Sequence, residues 1–167
     1  PQDASKQAAE ICRRAPVVPV LVIDDLAHAR PLAEALVAGG LPVLEVTMRT
    51  PAALDAIAAM AGVKGGIVGA GTVINGQDVS AAVAAGARFA VSHGATTGLL
   101  QACEDADLPL LPGAVTSSEA MALLERGYDM LKFFPAEQSG GAATLKGLAG
   151  PLPRISFCPT GGITPAT

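Results

Sequence analysis

An α/β fold of the (β/α)8 TIM-barrel class follows from three features of the chain. Short apolar runs alternate with Ala- and Leu-rich helical stretches, the runs are apolar on both faces, and no nucleotide-binding loop follows the first of them. In chain order the expected strands are Val17 to Ile23, Val43 to Met48, Gly66 to Ala70, Phe89 to Ser92, Leu108 to Leu111, Met130 to Phe134 and Ile155 to Cys158. Between them, helical spacing marks Leu26 to Ala38, Ala52 to Ala61, Val79 to Ala85, Thr97 to Ala106 and Ser118 to Arg126. Gly39-Gly40, Gly62, Gly86 and Gly127 close these helices, which suits C-termini that need a left-handed backbone.

Strands with two apolar faces suit parallel pairing under a cover of helices. An open doubly wound sheet shares that alternation, but the chain has neither GxGxxG nor GxxxxGK[ST] after its first strand, which favours the closed barrel. A full barrel needs eight strands, and the last β/α unit is expected to be missing here. Gly161 to Pro165 reads as a loop with an N-cap Thr164 and Pro165 at a first helical position. The expectation is one barrel domain over residues 1–167, C-terminally truncated or incompletely recorded, with a gap between its seventh and first strands.

Half of the 167 residues are hydrophobic (50%), enough for one substantial core, and the formal charge of -4 is spread among interspersed acids and bases. Neither nucleic acid nor a membrane is an expected partner. Cys12, Cys103 and Cys158 are far apart and form no CxxC or Cys/His cluster, so no metal site or disulfide framework is expected, and a reducing cytoplasm fits best. His28 and His93 have no partner at ligand spacing. No apolar run is long enough to span a bilayer, and Pro1 to Lys6 does not read as a signal peptide.

Chemistry is sought where polar groups interrupt apolar strands, because barrels carry their reactive residues at C-terminal strand ends. In the second strand, alternation puts Glu45, Thr47 and Arg49 on one face and Leu44, Val46 and Met48 on the other, so an acid and a base are expected to point into the barrel. A buried structural ion pair is the other reading of that pattern. In Met130-Leu131-Lys132-Phe133-Phe134-Pro135, an ammonium sits in the most aromatic stretch of the chain. Desolvation by Phe133 or Phe134 and repulsion by Arg49 are expected to favour the free amine, the form that attacks carbonyls; a Lys snorkelling from a strand end is the plain alternative. Gly69-Ala70-Gly71-Thr72 ends the third strand with a hydroxyl and backbone NH groups suited to a small carboxylate, and Cys158-Pro159-Thr160-Gly161-Gly162 ends the seventh with glycines suited to a phosphate. Ordinary turns have the same composition.

Taken together, Pro16-Val17-Val18-Pro19-Val20, Leu44 to Thr50, Val68 to Val73, Lys132 to Glu137 and Phe157 to Gly162 resemble the 2-keto-3-deoxy-6-phosphogluconate (KDPG) aldolases, whose bifunctional members also cleave 4-hydroxy-2-oxoglutarate. The resemblance spans nearly the whole chain. It implies a class I, Schiff-base lyase with Lys132 as the imine-forming amine and Glu45 as the proton shuttle. Arg49 and Thr72 would hold the pyruvate carboxylate, Phe134 would pack on the pyruvyl group, and Thr160, Gly161 and Gly162 would meet the phosphate. It implies a phosphorylated keto acid as substrate, no cofactor and a homotrimer. Ser92-His93-Gly94 departs from the family's pattern, which has Pro between a small hydroxyl residue and Gly. Two other readings stand beside it: a phosphate-binding barrel enzyme using Lys132 as an acid or base without covalent chemistry, and a catalytically silent scaffold or assembly subunit.

Overall fold

A computed structural model describes residues 2–165. A helix, α1 (Gln2–Cys12), precedes the repeating units. The strands are β1 (Val20–Leu21), β2 (Val43–Thr47), β3 (Ile67–Gly71), β4 (Ala90–Val91), β5 (Leu110–Leu111), β6 (Met130–Phe133) and β7 (Ser156–Pro159). The helices between them are α2 (Ala29–Ala38), α3 (Ala53–Ala61), α4 (Gly76–Ala84), α5 (Thr97–Asp105), α6 (Ser117–Glu125) and α7 (Gly141–Ala149), with a 3-10 turn at Leu26–His28 ahead of α2.

Every strand pairing is parallel, and neighbours in sequence are neighbours in space: β1 through β5 form one run and β6 with β7 another. Lys132 joins the two runs, its NH donating to Pro112 O and its carbonyl accepting from Ala114 N, so the sheet continues through a bridge between Gly113 and Lys132. Among the described residues β7 and β1 make no pairing. The seven expected strands are thus present in barrel order. Several are shorter than the apolar runs that announce them. Val17 to Ile23 pairs only at Val20–Leu21, and Pro16 and Pro19 have no NH to give to a ladder.

The two faces of the strands feed two cores. Leu44, Val46, Val68, Ala70, Ala90, Leu110 and Leu131 face outward and pack with Ala33, Ile57, Met60, Val79, Leu99 and Leu123 of the helices. Val43, Ile67, Phe89, Val91, Leu111 and Met130 face inward, and Ala9, Ile11 and Cys12 of α1 close that cluster. The first helix therefore plugs the N-terminal end of the barrel. A polar opening segment, Gln2 to Glu10, has too little apolar periodicity to announce this. A third cluster joins α7 to β6 and β7, with the Phe133 ring meeting Phe157 edge-on at 6.2 Å.

Helix ends follow local chemistry. Asn75, Thr96 and Thr116 accept NH groups of the first turns of α4, α5 and α6. Gly40, Gly86 and Gly127 adopt the expected left-handed backbone, but Gly39 (φ -77°) and Gly62 (φ -83°) do not, and the positive φ near the latter falls at Gly65. The helix expected after Thr164 and Pro165 lies outside the described residues.

Candidate active site

Alternation along β6 sends Leu131 and Phe133 outward and Lys132 and Phe134 inward. Lys132 is buried, with 2% of its side chain exposed, and its Nζ donates to Glu45 Oε1 at 3.2 Å; Glu45 is 4% exposed. The two residues lie 87 positions apart and come from opposite parts of the strand order. Burial raises the pKa of Glu45, opposed by the charge and hydrogen bond of Lys132 and by Arg49. A carboxyl with increased proton affinity beside an amine is suited to passing protons back and forth.

Glycines make the space this pair occupies. Glu45 stands in register with Gly69, and a Cβ on Gly71 would overlap the Glu45 carboxylate and its Cγ. A Cβ on Gly69 would overlap the ring of Phe89 on the barrel floor, and one on Gly113 would overlap the His93 carbonyl. In the sequence, Gly69 and Gly71 suit a small carboxylate or an ordinary turn. The structure adds close approach, a role visible only once neighbouring strands are placed.

The aromatic wall is Phe134, with Lys132 Nζ 5.6 Å from its ring centroid. Phe133, the other ring expected to desolvate the amine, faces the outer cluster beneath α7 instead. Thr47, on the inward face with Glu45, has its hydroxyl donating to Leu21 O at 3.1 Å and so ties β1 to β2. Arg49 follows β2 in an exposed turn, near enough to act on Glu45 and His93. Thr72 has a left-handed backbone (φ 61°), and its buried hydroxyl has no partner. Positive φ is uncommon in a β-branched residue, and here it falls just past the C-terminal end of β3.

Beyond β7, Gly161 and Gly162 take φ 97° and 76°, and side chains there would meet the Phe134 ring and Glu137. The loop is held to the turn after β6 by Ala136 N donating to Thr160 O and Glu137 N donating to Gly161 O. The expected residues Lys132, Glu45, Arg49, Thr72, Phe134, Thr160, Gly161 and Gly162 thus all lie at or just beyond C-terminal strand ends, except that Glu45 and Lys132 sit deeper. Cys12 and Cys158 lie below and beside Lys132. Burial pushes the Cys12 thiol up to about 12 and raises that of Cys158, so both stay protonated and leave the amine as the nucleophile. A cleft of about 470 Å³ lined by Glu10, Arg14, Arg88 and Asp107 belongs to the N-terminal end and takes no part in this arrangement.

An amine and a carboxyl in contact inside a parallel barrel match what a class I aldolase, a lyase, requires. The family described as KDPG and KHG aldolase matches residues 8–167. The KHG/KDPG aldolase of Escherichia coli strain K12 is 52% identical over 160 residues, 95% of this chain and 75% of that protein. Among solved structures, the 2-keto-3-deoxy-6-phosphogluconate aldolase of Zymomonas mobilis ZM4 with 3-phosphoglycerate superposes with a TM-score of 0.94 at 50% identity, covering 97% of this chain and 78% of that one. The KDPG aldolase of Legionella pneumophila, with pyruvate captured at low pH as a covalent carbinolamine intermediate, superposes with a TM-score of 0.91 at 47% identity, covering 96% and 78%. The chain belongs to the KDPG and KHG aldolase family.

Proposed function

We propose that this protein, through one barrel domain, cleaves 2-keto-3-deoxy-6-phosphogluconate to pyruvate and glyceraldehyde 3-phosphate, and accepts 4-hydroxy-2-oxoglutarate in the same site. The observation that carries the reading is the buried contact of Lys132 Nζ with Glu45 Oε1 at 3.2 Å.

The free amine of Lys132 adds to the C2 carbonyl, and the carbinolamine takes up a proton from solvent as it loses water, which gives a protonated imine. Glu45 takes the proton of the C4 hydroxyl, directly or through a water. The C3–C4 bond breaks, its electrons pass into the imine, and the aldehyde leaves behind an enamine. Glu45 returns a proton to C3, and water releases pyruvate from Lys132. Burial supports this role for Glu45, because a carboxyl whose proton affinity is raised accepts and returns a proton more evenly than one in water.

Arg49 and the unpartnered Thr72 hydroxyl are assigned to the substrate carboxylate, Phe134 to the flat pyruvyl unit, and Thr160, Gly161 and Gly162 to the phosphate. The homotrimer implied by the family resemblance belongs to the same reading. So does a cytoplasmic location, supported by three free thiols at Cys12, Cys103 and Cys158.

Product release by the full-length protein is the test. The wild type is expected to form pyruvate and glyceraldehyde 3-phosphate in equal amounts, and Lys132→Met neither. Turnover in Lys132→Met contradicts imine chemistry, and an inert wild type favours the silent scaffold.

A further inference from the structure

Phe89 and Val91 point into the barrel, and His93 continues the same alternation one step beyond β4, at the rim of the site. Its placement is firm on two sides. The strand beneath is held by Val73 N donating to Val91 O and Ser92 N donating to Leu111 O, and Gly113 packs so close to the His93 carbonyl that no side chain fits between them. The imidazole then meets Phe134 edge-on, with ring centroids 4.5 Å apart. Phe134 is the ring 5.6 Å from Lys132 Nζ, so His93 belongs to the wall of the amine's chamber.

Among the described residues no group hydrogen-bonds the ring nitrogens of His93, although the side chain is half-buried. Its neighbours at the rim are Arg49 after β2 and Thr72 after β3, the latter with a buried hydroxyl that likewise has no partner. Three successive strand ends, after β2, β3 and β4, therefore carry a cation, a hydroxyl and an imidazole at the C-terminal rim. An anion with several acceptor oxygens satisfies all three; a neutral ketone does not.

We infer that His93 is a specificity-determining residue for the keto acid, donating a ring N–H to the same carboxylate that Arg49 and Thr72 receive. The inference rests on the aldolase reading above. Burial, then Lys132, then Arg49, lowers the pKa of His93, so the ring is neutral at pH 7 and donates through one nitrogen without adding a third positive charge.

The full-length protein tests this with two probes, pyruvate and the carboxylate-free ketone acetone, each captured by borohydride over a range of concentrations. His93→Phe keeps a flat ring against Phe134 but has no N–H, whereas His93→Gln keeps a donor. His93→Phe is expected to raise the pyruvate concentration for half-maximal capture about tenfold, the effect of losing one hydrogen bond to a charged group. His93→Gln should stay within about threefold of the wild type, and acetone should be captured alike by all three proteins, which also reports an intact chamber. Pyruvate capture by His93→Phe at wild-type concentrations overturns the inference. So does an equal loss of acetone capture, which assigns His93 to holding Phe134 in place. No pyruvate capture by the wild type overturns the aldolase reading itself, and the inference with it.

Discussion

Glu45 sits where water would normally hold a carboxylate charged and does not reach. Its raised proton affinity comes from burial, and the ammonium 3.2 Å away limits the rise. Glu45→Gln removes the titratable carboxyl while keeping nearly the same shape. The variant is expected to form the imine with pyruvate but to exchange the C3 protons of pyruvate with deuterated water more slowly, by about a hundredfold or more. Proton NMR of the pyruvate methyl signal follows the exchange; an unchanged rate assigns the proton transfer to another group. Both members of this pair were legible in the sequence because a charge inside an apolar strand has few explanations. Gly71 and Gly113 were not, since what they make room for, Glu45 and the His93 carbonyl, comes from other strands. His93 was legible only as a departure from a family pattern, and its contact with Phe134 gave it a place.

The loop between β5 and α6 shows how an element supports the site. Its residues Pro112 and Ala114 clasp the backbone of Lys132, and its far end is fastened by a capping box: Glu119 N donates to Thr116 Oγ1, while Glu119 Oε2 accepts from the NH groups of Val115 and Thr116 at 2.9 and 2.8 Å. Thr116→Ala is expected to lower stability by about 1 kcal/mol in urea unfolding, as other lost caps do; an unchanged midpoint would show that the loop is held without the cap. The bonds from Val115 and Thr116 lower the pKa of Glu119. A depressed carboxyl stabilises the fold above its unfolded value of about 4.3, and that contribution disappears as pH falls through the lower folded value. The stability gap between wild type and Glu119→Ala should therefore narrow on acidification. At this scale strands and middle helices could be read from periodicity, but α1 and α7 could not. α1 turns only a few small apolar residues into the barrel floor, and α7 starts in a glycine pair with no side-chain cap.

Only the curling of successive parallel strands brings β6 and β2 face to face across the barrel interior, so the Lys132–Glu45 pair is a property of the whole molecule. Parity along β2 predicts Glu45, Thr47 and Arg49 inward; Glu45 and Thr47 are buried there, but β2 ends at Thr47 and Arg49 lies exposed in the turn beyond it. Distances between strands distant in order had no sequence signal, because strand number and stagger set a barrel's width and no single residue encodes them. The chain carries other amines, including Lys64 and Lys146, outside this interior. The most direct measurement is the mass of the full-length protein after treatment with pyruvate and borohydride, followed by peptide mapping. One reduced pyruvyl group per chain, located on Lys132, is the expected result. Label on Lys64 or Lys146, or none at saturating pyruvate, would contradict Lys132 as the imine-forming amine.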